Sequence, residues 1–211
     1  HRETQNSFNV IDPLKNCSLE QLKKIYPKYH NNFNIMIFNL NGSLNVGNIM
    51  RTSCIYGCVN YYIIGRKIYD SRSSVGANKY LNVKFLRNIV KDLPNKGIKP
   101  ETDKKKFKDY LIKNKIAPIF VEQGGTNIKH FSFLQYNKEC VNIPTFIFGN
   151  ETYGIDPDVI SYCSDLNGFA VISIPQTGML RSFNVSNSAS IVLWEYYSKF
   201  LSRDDVSNKY N

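Results

Sequence analysis

Histidine is scarce in this 211-residue chain: His1, His30 and His130 are all it has. No Ser-His-Asp or Cys-His arrangement stands out, so chemistry resting on a His base is not expected. The five cysteines (Cys17, Cys54, Cys58, Cys140, Cys163) are odd in number and scattered, with no CxxC pair and no nearby His ladder. Neither a disulfide frame nor a metal site is indicated. Cys54 and Cys58, four apart, would share one face on a helix, and fit core packing better than metal ligation. No apolar run approaches the ~18–20 residues that would span a bilayer. The opening residues, His1-Arg2-Glu3-Thr4-Gln5-Asn6, are polar and unlike a signal peptide. The expected setting is intracellular and reducing, with the cytoplasm favoured, an organelle or nucleus left open, and no membrane partner. Starting on His rather than Met points to a fragment, with a possible upstream domain or helper protein.

What the chain does have is apolar and basic. It is 42% hydrophobic and 13% aromatic, with 14 Tyr and 13 Phe, enough to build one core without covalent staples. Lys and Arg number 27 against 17 acids, a net charge of +10 and a pI near 9.3. That surplus fits a polyanionic partner, nucleic acid ahead of anionic membrane; solubility alone explains it about equally well.

Apolar patterning divides the chain into an N-terminal arm (1–33), a main domain (34–202) and a polar tail (203–211). The arm carries a short helix around residues 19–26. Residues 35–40 form a buried-type strand, followed by a helix whose Val46, Ile49, Met50 and Cys54 recur at a 3–4 spacing and which Gly57 closes. Residues 59–64 make a second strand; residues 75–81 and 83–86 are weaker candidates. Residues 91–115 hold nine Lys against four acids and read as a loop feeding a basic amphipathic helix. This segment is either a nucleic-acid-facing patch or a solvated insertion. Residues 116–121, 144–148 and 169–174 are further strands. Asp156-Pro157 starts a helix, and the last helix spans about 184–200, with Val185, Ala189, Val192, Leu193, Tyr196 and Phe200 on one face. Alternation of this kind predicts an α/β fold with a mostly parallel sheet flanked by helices.

Parallel sheets bind ligands beyond the carboxyl ends of their strands, and three polar, Gly- and Asn-rich loops lie there. The first runs from Asn39 to Thr52 and contains Asn45 and Arg51; the second is Gly149-Asn150-Glu151-Thr152-Tyr153-Gly154-Ile155-Asp156-Pro157; the third runs from Pro175 to Ser186. Gly149 and Gly154 have Walker-type spacing, but Ile155-Asp156 stand where Lys-Ser/Thr is required. No GxGxxG opens a helix, so a dinucleotide site is unsupported.

Together these loops resemble the three motifs of the SPOUT superfamily, in its SpoU (TrmH-like) branch of RNA ribose 2′-O-methyltransferases. The matching residues are Asn45-x5-Arg51-Thr52, Phe148-Gly149-Asn150-Glu151-x-x-Gly154, and Ile174-Pro175-x-x-Gly178 with Ser182-x-Asn184-Val185-Ser186. They come in the family's order over about residues 35–200, and the third block looks most like the branch that methylates a D-loop guanosine of tRNA. The resemblance implies an α/β sheet with a C-terminal deep trefoil knot, an exception to the rule against knotted chains. It implies S-adenosylmethionine as cofactor, S-adenosylhomocysteine as product, RNA (tRNA ahead of rRNA) as substrate, and a homodimer whose active site includes residues of both protomers. Asn45, Arg51, Glu151, Ser182 and Asn184 match the family's functional polar positions. Phe148, Gly149, Asn150, Ile174, Gly178, Met179, Phe183 and Asn184 match its cofactor-binding ones.

The residues suit such chemistry. A ribose hydroxyl is a poor nucleophile and a sulfonium methyl is already activated, so alignment is the main requirement. Arg51 stays protonated and is a poor base, but it can clamp a phosphate and polarise a hydroxyl, leaving the proton to a phosphate oxygen or water. Each residue also has an ordinary explanation: Arg51 a surface cation, Glu151 a helix-dipole partner, Asn45 and Asn184 helix caps, the glycines tight turns. A catalytically inactive RNA-binding module with the same fold is the alternative reading.

Overall fold

The computed structural model describes residues 9–39, 44–91, 101–137 and 140–201. Residues 40–43, the 92–100 part of the Lys-rich segment and the 203–211 tail lie outside them, as do residues 1–8. Six parallel strands form one sheet: β1 (Asn34–Asn39), β2 (Asn60–Gly65), β3 (Asn82–Leu86), β6 (Ile116–Asn127), β7 (Ile143–Phe148) and β8 (Ala170–Ser173). Their spatial order is β3-β2-β1-β7-β6-β8; the short β4 (Val90–Lys91) and β5 (Glu101–Thr102) pair separately and antiparallel.

Both faces of the sheet are covered, which is why its strands are apolar on both sides rather than alternating. All six residues of β1 are buried. Ile35 and Ile37 pack on one side with Val46, Ile49 and Met50 of α2 (Asn45–Ile55) and Ala189, Val192, Leu193 and Tyr196 of α5 (Val185–Lys199). Met36 and Phe38 pack on the other with Phe107 and Leu111 of α3 (Lys104–Lys113) and with Val159 of α4 (Pro157–Tyr162) and Cys163 just after it. Tyr196 anchors the first face, its ring 5.7, 5.1 and 5.2 Å from those of Phe33, Phe133 and Phe146, distances suited to edge-on aromatic packing.

The end of the N-terminal arm belongs to this core. Helix α1 (Leu19–Ile25) opens with a Ser18–Gln21 capping box, and Leu22, Tyr26 and Phe33 are buried. The Tyr26 hydroxyl donates to the Cys58 carbonyl at 2.8 Å. All five cysteines are free. Cys58 is buried, in keeping with a packing role, and burial pushes the Cys163 thiol up to about 11.

Two elements differ from the sequence reading. Residues 75–81 are not a strand but part of paired 3-10 turns, Ser71–Ser74 and Ala77–Lys79, because Val75 takes a left-handed conformation (φ 50°) that a strand forbids. Strand β6 runs past 121 to Asn127, since a register shift against β8 between Val121 and Thr126 lets pairing resume after Gly124-Gly125. Among the described residues no helix is long and apolar enough to cross a membrane.

Gly57, which turns the chain from α2 toward β2, sits at φ +74°, and a Cβ there would lie 2.1 Å from the Tyr29 carbonyl oxygen. Gly57→Ala is therefore expected to destabilise by about 2 kcal/mol or more, from strain and collision together. That corresponds to a Tm about 4–8 °C lower for a chain of this size. Thermal melting checks it, and an unchanged Tm would mean the turn relaxes freely.

Candidate active site

Because the strands are parallel, their carboxyl ends share one rim, where the end of β1, the start of α2 and the loop after β7 meet. A cavity of about 460 Å³ opens between them, lined by Asn39, Asn45, Gly149, Asn150, Glu151 and Asn184 among others. The sequence separates these residues widely; the fold puts three of them in hydrogen-bond contact.

Asn184 joins the three loops. Its amide nitrogen donates to Glu151 Oε1 at 2.6 Å and to Asn45 Oδ1 at 3.1 Å. Its amide oxygen caps α5, accepting from the Ser186 backbone nitrogen at 2.9 Å and the Ser186 hydroxyl at 2.6 Å. With the oxygen committed to the helix, the nitrogen can only face the cavity. Asn184 is thus a helix cap and part of the cavity lining at once. Asn45 lies at the first turn of α2, whose N-cap is Leu44.

The second loop folds onto itself. Asn150 and Gly154 exchange backbone bonds of 3.3 and 2.8 Å, and Asn150 Oδ1 accepts from the nitrogens of Thr152 and Tyr153. Gly149 is required by closeness: a Cβ there would lie 2.6 Å from the Gly154 carbonyl carbon. The result is a closed turn at the end of β7.

Three site-supporting residues were not singled out by sequence. Glu122 Oε1 accepts from the Ile155 nitrogen at 2.9 Å, fixing the second loop. Gln123, next to it, donates through Nε2 to the Arg181 carbonyl in the third loop. Both stand on the extension of β6, and their signal was the Glu-Gln-Gly-Gly run after an apolar strand. Asn39, a polar residue closing an apolar strand, is 2% exposed and donates to the carbonyls of Arg66 (2.8 Å) and Ile68 (3.1 Å).

The remaining expected residues are placed differently. Phe148 is buried at the end of β7, and Ile174 packs against the core edge. Gly178, Met179, Ser182 and Phe183 are exposed along the third loop and do not line the 460 Å³ cavity. Arg51 is exposed on α2 and lines a separate cavity of about 550 Å³ with Tyr26, Tyr56 and Tyr197. Six residues beyond Asn45 on an α-helix, it points ~120° away from it.

The sequence model described as the SpoU rRNA Methylase family matches residues 32–194. The chain belongs to that family. No curated protein matches the sequence. Among solved structures, the TrmH/SpoU tRNA modifying enzyme of A. aeolicus superposes with a TM-score of 0.63 at 17% identity, over 88% of this chain and 83% of that one. The SpoU methyltransferase AviRb of Streptomyces viridochromogenes gives 0.59 at 18% identity, over 84% and 63%. An AdoMet-bound rRNA methyltransferase of Sinorhizobium meliloti gives 0.59 at 15% identity, over 85% and 60%. At these identities the likeness shows a shared SpoU fold, and the chain spans only about 60% of the length of the last two of these proteins.

Proposed function

We propose that this SpoU-family chain transfers a methyl group from S-adenosylmethionine to a ribose 2′-hydroxyl in RNA, with tRNA favoured over rRNA, and that it works as a homodimer. The observation that carries the reading is the Asn184 bridge: one side chain bonded to Glu151 of the second motif and Asn45 of the first. Ordinary caps and turns account for each residue singly but not for this convergence.

The residues fit the cofactor. The close Gly149–Gly154 contact fixes the turn after β7, so that Gly149, Asn150 and Glu151 line the cavity. Met179 and Leu180 on the third loop are 103% and 85% exposed, and Phe183 is also exposed, so apolar surface stands uncovered where an adenosine and a thioether chain would lie. Phe148, Gly149, Asn150, Ile174 and Gly178 supply the flanking backbone. When bound, S-adenosylmethionine supplies a methyl already activated by a positive sulfur.

The chain's own residues then align and polarise. Asn184 holds Glu151 by one carboxylate oxygen, leaving the other to orient a ribose hydroxyl. Asn45 fixes the amide from the far side. Arg51 clamps the substrate phosphate and polarises the hydroxyl, Ser182 of the third loop contributes a further polar group, and the proton departs to a phosphate oxygen or water. Arg51 lies on another groove of its own subunit, so the reading places it in the partner's site. Pairing through α2 and α5 is supported by two large apolar side chains left on those helices: Ile55 is 63% exposed and Trp194 57%. Pairing of like patches is the commonest route to a dimer, and exposed apolar surface marks where it occurs.

The test is transfer of tritium from labelled cofactor into tRNA and rRNA, followed by nucleoside mapping. Label in a ribose-methylated nucleoside of tRNA is the expected result. Label on a base overturns the ribose assignment. No transfer, with no calorimetric binding of S-adenosylhomocysteine, overturns the enzyme reading.

A further inference from the structure

Among the described residues some cations are held in ion pairs and others, Lys28 and Lys113 among them, are not. On α3, Lys105 pairs with Asp109 at 3.0 Å, Lys106 with Asp103 at 3.5 Å and Lys108 with Asp165 at 2.6 Å. Lys91 pairs with Glu101 and Arg72 with Asp70. Lys67 and Arg87 are exposed and form no ion pair among the described residues.

These two stand on the rim that carries the cavity. Lys67 follows β2, which ends at Gly65, and Arg87 follows β3, which ends at Leu86. Both strands run parallel to β1 in register, so both cations lie at carboxyl ends, with β3 ~10 Å from β1. The Lys67 loop is fastened to the site itself. Asn39, which lines the cavity, accepts from the Arg66 nitrogen at 2.8 Å through its carbonyl and donates to the carbonyls of Arg66 and Ile68. Lys67 Nζ lies 5.4 Å from the centre of the Phe85 ring on β3, a contact that steers it along the rim toward Arg87. The acids nearby, Asp70 and Glu101, are neutralised by Arg72 and Lys91.

We propose that Lys67 and Arg87 form a track for the phosphodiester backbone of the RNA substrate, leading from the cavity across the β2–β3 edge of the sheet. This rests on the reading of the protein as an RNA methyltransferase and deepens it. Asn39 is the coupling residue: it keeps the track at a fixed distance from the cavity, so phosphates bound there set which nucleotide enters.

The experiment compares the unmodified protein, the rim pair Lys67→Ala/Arg87→Ala and a control pair Lys28→Ala/Lys113→Ala. The control lysines are exposed and lie at the opposite rim, shortly before β1 and β6. Binding of bulk tRNA is followed by fluorescence anisotropy across KCl concentrations, and S-adenosylhomocysteine by calorimetry. The rim pair is expected to bind tRNA about tenfold more weakly at ~0.1 M salt, with its log–log salt slope reduced by about 2, one for each phosphate no longer neutralised. Cofactor affinity and melting temperature stay unchanged, the control pair behaves as the unmodified protein, and the charge-keeping Lys67→Arg/Arg87→Lys retains the slope. An unchanged slope in the rim pair, or an equal drop in the control pair, overturns the track while leaving the RNA reading standing. Failure of the unmodified protein to bind or methylate any RNA overturns both.

Discussion

Asn184→Asp is expected to lower methyl transfer about 100- to 1,000-fold, the range for removing one preorganised donor from a polar site, while leaving the fold intact. The substitution separates the two tasks of this side chain. The oxygen that caps α5 through Ser186 is kept, so helix entry is preserved. The nitrogen that donates to Glu151 at 2.6 Å and Asn45 at 3.1 Å becomes a second carboxylate oxygen facing Glu151. Like charges this close disfavour ionisation of both groups and push the carboxylates apart. Asn184→Ala gives the complementary loss: the cap goes too, at about 1 kcal/mol, seen as a Tm lower by ~2–4 °C. Single-turnover transfer with saturating cofactor, beside thermal melts of both variants, checks the pair. Near-normal transfer by Asn184→Asp would reduce the bridge to a helix cap and remove its role in the site.

The sequence disclosed the sheet well because both faces of its strands are buried. Runs such as residues 35–38 and 146–148 are apolar throughout, as a parallel strand covered on both faces requires. The Asn184 bridge was legible only as three motifs in order. A hydrogen bond spanning 139 residues, as between Asn184 and Asn45, leaves no local trace. Glu122 and Gln123 escaped notice for a related reason. The apolar run of their strand stops at Val121, but main-chain pairing with β8 resumes at Thr126 after the glycines. Hydrophobic periodicity reports burial, and this extension is held instead by backbone bonds and by the two loops it supports. Residues 75–81 misled in the opposite sense: Val75 and Leu81 suggest a strand, yet Val75 is exposed and left-handed.

Arg51→Ala is expected to abolish methyl transfer, with a loss of about 100-fold or more, and to leave S-adenosylhomocysteine affinity nearly unchanged. The loss follows if the guanidinium holds substrate phosphate and polarises the hydroxyl, contacts that a neutral methyl cannot replace. Its position sharpens the test. Arg51 lines the cavity formed with Tyr26, Tyr56 and Tyr197, while Glu151 and Asn184 line the other. If Arg51 serves the partner's site, then Arg51→Ala and Asn184→Asp are defects in different subunits of each site. Mixing the two inactive variants under conditions that let subunits exchange gives dimers in which one site carries both defects and the other neither. Random pairing then restores about a quarter of normal activity, since half the dimers are mixed and each has one intact site of two. If Arg51 acts within its own subunit, both sites of the mixed dimer stay defective and no activity returns. The same mixture therefore reports both on the role of Arg51 and on the pairing of subunits, and activity that survives in Arg51→Ala alone would defeat the proposed role outright.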